Sequence, residues 1–365
     1  MLPAPSGGGR LPAGDAFDWE LPAGFPAPPV PDDNPMSEAK VELGRRLFYD
    51  PRLSGNGHFS CASCHRQELA FTDGRERAIG STGEVHPRSA MTLTNVAYNA
   101  TYNWANPRMR RLEEQALNPM FNRTPVELGL AGREAELIER LRADGELAAA
   151  FKRAFPGRAV AIETITGAIA AFERTLISGD SPYDRFVFWG KALDTGARRG
   201  MKLFFSEVTK CSECHSGLNL SGAVRATSGE TREGEPEFHN TGLFDLDGKG
   251  AYPEPNRGVF EISGRSDDMG KFRAPTLRNI EVTAPYMHDG SLETLEEVVD
   301  FYAAGGRGAG RASPRKSPLL GGFELTLQER DDLIAFMKSL TDRGFLTDPR
   351  FSDPTVQKLQ LNPAE

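Results

Sequence analysis

Two copies of one short motif contain every cysteine in this chain. The motifs are CASCH, with Cys61, Cys64 and His65, and CSECH, with Cys211, Cys214 and His215. In C-x-x-C-H, the two thiols can form thioethers with the vinyl groups of a haem while the adjacent imidazole binds the iron. A four-ligand zinc site and redox-active thiol pairs are the alternatives. Because no cysteine is left over, the pattern favours two covalent c-type haems.

The sequence around the two motifs is repeated as well. GRRLFY at 44–49 precedes the first motif, and GMKLFF at 200–205 precedes the second. Each motif is followed at a distance by apolar residues at helical spacing, AIAAFERTLIS at 168–178 and DLIAFMKSLTD at 332–342. Strand signals are weak. We therefore predict a mainly α chain with two tandem cytochrome c-type domains, each with one covalent c-type haem.

The repeat and the composition together predict the domain boundaries. They are an extended N-terminal arm over 1–35, rich in Pro and Gly, an N-terminal cytochrome c domain over 36–190, a C-terminal cytochrome c domain over 191–345 and a tail over 346–365. The N-terminus has no basic segment followed by an apolar core. Since bacteria attach c-type haem outside the cytoplasm, we expect a periplasmic protein whose signal peptide has been removed.

The overall composition excludes two classes of partner. No apolar run approaches the roughly 18 residues that a membrane span needs, so we expect a protein that does not span the membrane. The formal net charge of −8 argues against a nucleic-acid partner, because phosphate binding needs a basic surface.

The side chains opposite the motif histidines decide whether a haem carries electrons or reacts with peroxide. For the first haem, YNWANPRMRRLEEQALNPMFNRTPVELG brings Trp104, Gln115 and Glu127 close in sequence, with Pro119 among the helix breakers between them. A carboxyl group over an open iron can move a proton between the oxygens of a peroxide, which is worth about 10²–10⁴ in rate. The alternative is a solvated, charged turn. His86 could reach the first iron or form a turn.

For the second haem, the candidates lie between residues 269 and 302. Met269 and Met287 are candidate thioether ligands. Tyr302 lies on a predicted helix from Ser291 to about Ala304, which Ser291 caps and two glycines end. On periodicity alone, Tyr302 belongs to an apolar stripe and is a core residue.

The motif order resembles a known family. Two C-x-x-C-H motifs, LEEQALNPM…ELG and FRAPTLRNIEVTAPYMHDGS…TLEEVVDFYAAGG together resemble the bacterial dihaem cytochrome c peroxidase and MauG superfamily over residues 38–345. The resemblance implies that His65 binds the haem that meets peroxide. It places Gln115, Glu127 and Pro119 on the distal side of that haem, although the spacing from Gln115 to Glu127 is two residues longer than the family pattern.

The resemblance also implies a route to the second haem. Trp104 matches the tryptophan that relays electrons between the haems, Arg273 matches an arginine beside it, and His215 matches the second proximal ligand. In the peroxidases, a methionine 14 residues after the HDG histidine binds the second iron, and the same count from His288 reaches Tyr302. MauG-like members have tyrosine there. A phenolate is a harder donor than a thioether, so it lowers the potential and suits storage of an oxidising equivalent as Fe(IV).

Family members hold a calcium ion between the domains through an Asn side chain and backbone carbonyls. Thr283 and Pro285 match the carbonyl positions, and Ser89 stands at the Asn position. We therefore expect a calcium site that lacks its usual side-chain ligand.

A finer resemblance points to one group within the superfamily. MTLTNVAYNATYNW, HNTGLFDLDGKGAYPEPN and AIAAFERTLISGDSPYDR are similar to the MbnH dihaem enzymes of methanobactin operons. These enzymes are paired with a small copper-binding protein in which a tryptophan is oxidised to kynurenine. MauG has a surface tryptophan just before its second C-x-x-C-H, whereas Thr209 stands here and Trp189 is the nearest tryptophan in sequence.

Three functions follow. The first is a hydrogen peroxide-dependent oxidase that forms a bis-Fe(IV)-like state and oxidises a tryptophan of a small periplasmic copper-binding partner. The second is a cytochrome c peroxidase that reduces hydrogen peroxide with electrons from a small redox protein, and Tyr302 counts against it. The third is a dihaem electron carrier, which has no use for Gln115 and Glu127.

A basic loop follows the predicted Tyr302 helix. Its cations are Arg307, Arg311, Arg315 and Lys316. On an acidic protein this loop could dock a partner or face haem propionates, and the alternative is a solvated loop.

Overall fold

The structure, a computed structural model, describes residues 17–224 and 237–355. The α-helices are α1 (Glu38–Tyr49), α2 (Leu112–Gln115), α3 (Leu117–Phe121), α4 (Glu134–Arg142), α5 (Gly145–Ala154), α6 (Ile162–Glu173), α7 (Pro182–Trp189), α8 (Thr195–Phe204), α9 (Cys211–Cys214), α10 (Phe260–Ser263), α11 (Leu295–Ala303) and α12 (Leu327–Lys338). Strands β1 (Phe238–Asn240) and β2 (Lys271–Arg273) pair antiparallel. The mainly α class is confirmed. No helix within the described ranges is long and apolar enough to cross a membrane.

Each half contains a pair of helices that cross closely at a glycine. α1 packs across α6, and a side chain at Gly44 would overlap the carbonyl oxygen of Ala168. α8 packs across α12, and a side chain at Gly200 would overlap the carbonyl oxygen of Asp332. Gly44 and Gly200 are the first residues of the repeated GRRLFY and GMKLFF segments. The sequence repeat therefore encodes one close helix contact, used twice.

Replacing Gly200 with Ala is expected to lower the free energy of unfolding by about 1–3 kcal/mol, because the added methyl group pushes α8 away from α12. Gly145 is the matched control. It is the first residue of α5, and a methyl group there would meet no atom within 4 Å. Alanine at Gly145 should therefore leave stability unchanged or raise it. Denaturant unfolding of the two variants checks the prediction, and equal stabilities would contradict it.

Each crossing has its own hydrophobic core. The first core contains Leu43 and Phe172, and the second contains Phe204 and Phe336. Between the two halves, Arg278 donates hydrogen bonds to both carboxylate oxygens of Asp184, at 2.9 and 3.0 Å. Both side chains are only 2% exposed. This buried ion pair fixes the end of one half against the other.

The described part of the N-terminal arm, residues 17–35, forms no helix and lies against both halves. The Phe25 ring packs against the Arg278 guanidinium at 4.9 Å. The Tyr98 hydroxyl donates to the carbonyl of Pro26 at 2.8 Å. The arm thus covers the buried ion pair from one side.

The C-terminal segment returns to the first half. Phe345 and Phe351 belong to the first core, and the Phe345 ring lies 5.6 Å from the ring of Phe71. The Gln67 side chain donates to the carbonyls of Phe345 and Asp348, at 3.1 and 2.9 Å. The chain therefore ends beside the loop that follows His65.

The helix that carries Tyr302 begins later than predicted. Its N-cap is Thr294, which forms a capping box with Glu297, and the predicted cap at Ser291 was wrong. The physical reason is an isolated β-bridge in which Tyr286 and Leu292 exchange backbone hydrogen bonds. This bridge holds the backbone before Thr294 extended, so the helix cannot start there.

Candidate functional site

A first cavity lies beside the CASCH motif and is lined from distant parts of the chain. α2 supplies Gln115, α3 supplies Pro119, the following loop supplies Glu127, and α6 supplies Glu173. The same cavity is lined by Cys61, Cys64, His65, Trp104 and Arg273. The residues predicted for the first haem are thus brought together around one space.

In both motifs a backbone carbonyl holds the histidine ring. His65 Nδ1 lies 2.8 Å from the carbonyl oxygen of Phe71, and His215 Nδ1 lies 3.2 Å from that of Leu220. A carbonyl can only accept, so each Nδ1 carries the proton and each Nε2 keeps a lone pair for a metal. Burial lowers the pKa of His65, and it lowers that of His215 to about 4, so both rings are neutral at pH 7.

The backbone at both carbonyls is left-handed, with φ of 61° at Phe71 and 46° at Leu220. L-residues rarely adopt this conformation. In each half it turns a backbone carbonyl toward the histidine, six residues after His65 and five residues after His215, so both halves support the proximal ring in a similar way.

The four cysteine thiols of the two motifs are available to form thioethers with covalently attached haems. Burial raises the pKa of the Cys64 thiol to about 12 and also raises the pKa of Cys61 and Cys211. None of the cysteines forms a disulfide. Across residues 17–224 and 237–355, no group of three or more His, Cys, Asp or Glu side chains is arranged to hold a metal ion.

Glu127 lies next to His86 at the wall of the first cavity. Burial raises the pKa of Glu127 to about 7 and lowers that of His86. His86 Nδ1 accepts the backbone N–H of Arg88 at 3.2 Å, so the neutral ring carries its proton on Nε2. That nitrogen lies 3.7 Å from Glu127 Oε1. A carboxyl group that titrates near neutral pH thus has a neutral imidazole beside it.

Glu173 was not predicted from the sequence. It is 6% exposed and lines the first cavity, and its Oε2 has no hydrogen-bond partner among the described residues. Burial raises its pKa to about 8, so the group is mostly protonated at pH 7. The signal was its position four residues after Ile169, on the same face of an otherwise apolar helix.

Trp104 and Arg273 line both cavities and so lie between the two motifs. Trp104 Nε1 donates to the carbonyl of Ser89 at 3.0 Å, and the backbone N–H of Arg273 donates to the carbonyl of Trp104 at 2.8 Å. Arg273 is 4% exposed, and its Nε and Nη1 find no acceptor in the described part of the chain. A buried guanidinium with free donors fits an anionic group such as a haem propionate.

The second cavity is lined by Cys211, Cys214, His215 and Tyr302. Burial raises the pKa of the Tyr302 phenol, so it keeps its proton unless a cation binds its oxygen. Of the two candidate thioethers, Met287 lines this cavity. Met269 instead packs against the second core, and its carbonyl accepts a hydrogen bond from Asn240.

Three of the four cations of the basic loop form hydrogen bonds with nearby backbone carbonyls, and the Arg307 guanidinium lies 5.5 Å from the Phe244 ring. The Arg311 Nε donates to the carbonyl of Gly306 at 3.2 Å, and Lys316 Nζ donates to that of Gly305 at 2.8 Å. Arg315 Nε donates to the carbonyl of Lys249 at 2.9 Å. None of the loop cations lines either cavity. These contacts indicate that the loop cations stabilise the loop itself, and they do not support the suggestion that the loop faces haem propionates.

Comparison with known proteins extends these observations. The family model of di-haem cytochrome c peroxidases matches residues 38–192. Cytochrome-c peroxidase IdrP1 of Pseudomonas sp. is 37% identical over 350 residues, which cover 92% of this chain and 88% of that protein. Methylamine utilization protein MauG of Methylorubrum extorquens is 34% identical over 317 residues, which cover 86% of this chain and 81% of MauG.

A crystal structure of a MauG-like protein associated with microbial copper homeostasis superposes with a TM-score of 0.89 and 51% identity, covering 93% of this chain and 100% of that chain. The diheme peroxidase BthA of Burkholderia thailandensis, at 22% identity and a TM-score of 0.67, shares the fold. By these matches, the chain belongs to the di-haem cytochrome c peroxidase family, which includes the MauG proteins.

Proposed function

We propose that this protein uses hydrogen peroxide to oxidise a tryptophan of a partner protein in the periplasm. The partner we propose is a small copper-binding protein, and the product is kynurenine, as in the MbnH group that the sequence resembles. The observation that carries the proposal is Tyr302, which shares the second cavity with His215. The 51% identity to a MauG-like protein associated with copper homeostasis supports the choice of partner.

The first cavity supplies the proton chemistry of this proposal. When bound there, the haem supplies the iron at which peroxide is reduced. Glu127, with a pKa near 7, takes a proton from one peroxide oxygen and returns it to the other. Gln115 offers an amide to hold the peroxide, and Pro119 fills space without adding a competing donor. His86 Nε2–H, 3.7 Å from Glu127, is placed to exchange protons between the pocket and solvent.

The groups between the cavities supply the path for oxidising equivalents. Trp104 is fixed by its hydrogen bond to Ser89, and its indole can lose an electron. Arg273 beside it would hold haem propionates through its free Nε and Nη1. His215 and Tyr302 are proposed as the two ligands of the second iron. A phenolate ligand there disfavours electron uptake from an ordinary donor, so electrons are drawn from a protein side chain instead.

A cytochrome c peroxidase is the second candidate, because relatives at 34–37% identity include proteins of that name. It needs a second haem that readily accepts electrons from a redox protein. Tyr302 in place of a thioether ligand counts against it.

We also propose a calcium ion near Ser89, Thr283 and Pro285, which all line the second cavity. The Ser89 hydroxyl donates to the carbonyl of Met287 at 3.2 Å, so its oxygen is only a weak ligand. Backbone carbonyl oxygens and water would therefore supply most of the ligands of the calcium ion. Elemental analysis of the dialysed protein measures its content directly, and a calcium-free, fully active protein would exclude the site.

The decisive experiment mixes the diferric holoenzyme, the copper-binding partner and hydrogen peroxide. The expected result is an oxidised tryptophan in the partner, identified by peptide mass spectrometry, with no added reductant. Omission of peroxide is the control. Peroxide turnover that depends on a reduced cytochrome and leaves the partner unmodified would instead favour the peroxidase.

A further inference from the structure

One exposed aromatic side chain stands out from all the others. The chain has three tryptophans and seven tyrosines, all of them within the described residues. Trp189, at the end of α7, is 66% exposed, and every other tryptophan and tyrosine is buried or half-buried. Among the described residues, it is therefore the tryptophan or tyrosine most accessible to a docked protein.

The sequence of α7 explains why this indole faces solvent. Phe186, Val187, Phe188 and Trp189 are consecutive, and at about 100° per residue they surround the helix, so they cannot all face inward. Asp184 is the buried residue of this helix, whereas Val187 and Phe188 are 38% and 37% exposed. Gly190, with φ of 63°, ends the helix directly after the indole. We call Val187, Phe188 and Trp189 the α7 patch.

Closely packed rings lead from the second cavity to Tyr183, on the same helix as the α7 patch. Phe204 lines that cavity. Its ring lies 5.1 Å from Phe336, which lies 5.4 Å from Tyr183 on the buried side of α7. Tyr183 and Trp189 are six residues apart, about 9 Å along the helix axis. Tyr183 and Trp189 are the side chains on this path that can be oxidised, and the two phenylalanines keep it densely packed.

Two exposed cations, Lys191 and Arg198, lie close to the α7 patch in the chain. Lys191 follows the indole by two residues, and the Arg198 guanidinium lies 5.7 Å from the Phe186 ring. Both are exposed, and neither forms an ion pair with another described residue. Arg185, on the same helix, is already paired with Asp180. On a protein with a net charge of −8, two free cations beside an apolar patch complement an acidic surface around an apolar centre.

We infer that Trp189 is the exit for oxidising equivalents, and that the α7 patch docks the partner through an apolar surface flanked by carboxylates. The inference rests on the proposed function. With haem bound and peroxide as the oxidant, one electron would pass from the Trp189 indole through Tyr183 toward the second cavity, and the indole N–H proton would go to water. An electron from the tryptophan of the docked partner and a proton from water then restore Trp189. Two such transfers supply the two electrons that convert one peroxide and two protons into two waters.

The first test needs no partner. Holoenzyme treated with hydrogen peroxide alone is expected to oxidise its own Trp189: the indole adds one water and releases two electrons and two protons, for a net gain of one oxygen atom. Peptide mass spectrometry should find this oxygen at Trp189 and little at Trp19, which is half-buried on the arm. The Tyr183→Phe variant is expected to lose the modification. Equal oxidation of Trp19 and Trp189 would overturn the inference, since it would indicate unguided attack.

The second test separates electron exit from docking. Trp189→Phe keeps an apolar ring but is not readily oxidised, so partner oxidation should be lost while the peroxide-induced absorbance change of the haems is retained. Trp19→Phe is the matched control. Partner oxidation by Trp189→Phe at the wild-type rate would overturn the inference and leave the proposed function intact. Self-oxidation at Trp189 in an enzyme that never oxidises the partner would instead contradict the proposed function alone.

Val187→Glu tests docking, because it places a carboxylate in the α7 patch and leaves Trp189 in place. The KM for the partner should rise about tenfold or more, with self-oxidation at Trp189 unchanged. Leu246→Glu is the control, since Leu246 is 63% exposed on a different loop. If Val187→Glu leaves the KM unchanged, or instead abolishes a dimer of this chain in sedimentation, the patch does not dock the partner and the inference fails.

Discussion

Replacing Glu127 with Gln slows the reaction of the holoenzyme with hydrogen peroxide by about 10²–10⁴-fold, because the amide cannot move a proton between the peroxide oxygens. The rate of the wild-type reaction with peroxide is also expected to increase with pH. Below pH 7 the Glu127 carboxyl group holds its proton and cannot accept another, so the wild-type rate rises as the pH increases through about 7. The variant lacks this rise. Stopped-flow absorbance at the haem bands, measured across that range, checks both effects.

Glu114→Gln is the matched control for this experiment. Glu114 lies on α2 beside Gln115, but its side chain is 55% exposed and does not line the cavity. Its variant should react with peroxide at the wild-type rate and keep the pH-dependent rise. If Glu127→Gln reacts with peroxide as fast as the wild type, another group must move the proton. The buried Glu173 is the first candidate.

Tyr302→Met should abolish partner oxidation while leaving the haem content unchanged. A thioether is a softer, neutral ligand, so the midpoint potential of the second haem is expected to rise and the haem to accept electrons from a small redox protein. Spectroelectrochemical titration measures the potential, and mass spectrometry of the partner measures the oxidation. The substitution thus converts the proposed oxidase toward the peroxidase that was its main alternative.

The chain offers a matched control in the same cavity. Tyr286 also lines it, and its hydroxyl donates to the carbonyl of Ile280 at 3.0 Å. Tyr286→Phe removes a hydroxyl of the same chemistry without touching the proposed ligand, so partner oxidation should persist. If Tyr302→Met still oxidises the partner at the wild-type rate, Tyr302 is not the ligand on which the function depends.

Sequence patterns predicted the features that repeat along the chain. Gly44 and Gly200 occupy equivalent positions because each half needs the same close helix crossing, and such a local requirement leaves a trace in sequence. The resemblance to the peroxidases, in which a ligand lies fourteen residues after the HDG histidine, implied that Tyr302 belongs with the second motif, and the structure places it in that cavity.

Features that depend on distant packing could not be predicted in this way. The position of Glu173 on the apolar face of α6 indicates burial, but only the fold shows that its Oε2 has no partner among the described residues and lines the first cavity. The start of α11 was misplaced because the bridge between Tyr286 and Leu292 competes with helix formation at Ser291. His86 meets Glu127 because two loops, 41 residues apart in sequence, close the same cavity.

The return of the C-terminal segment to the first core has a consequence for how the protein is made. Phe345 and Phe351 are among the last described residues, yet they complete the core beside Phe71, whose carbonyl holds His65. Because the chain emerges from its N-terminus, the first core lacks two of its rings until residues 345–351 are available. The CASCH thiols would therefore stay accessible for haem attachment until then, and truncation before Phe345 should leave the first haem poorly held even though its motif is intact.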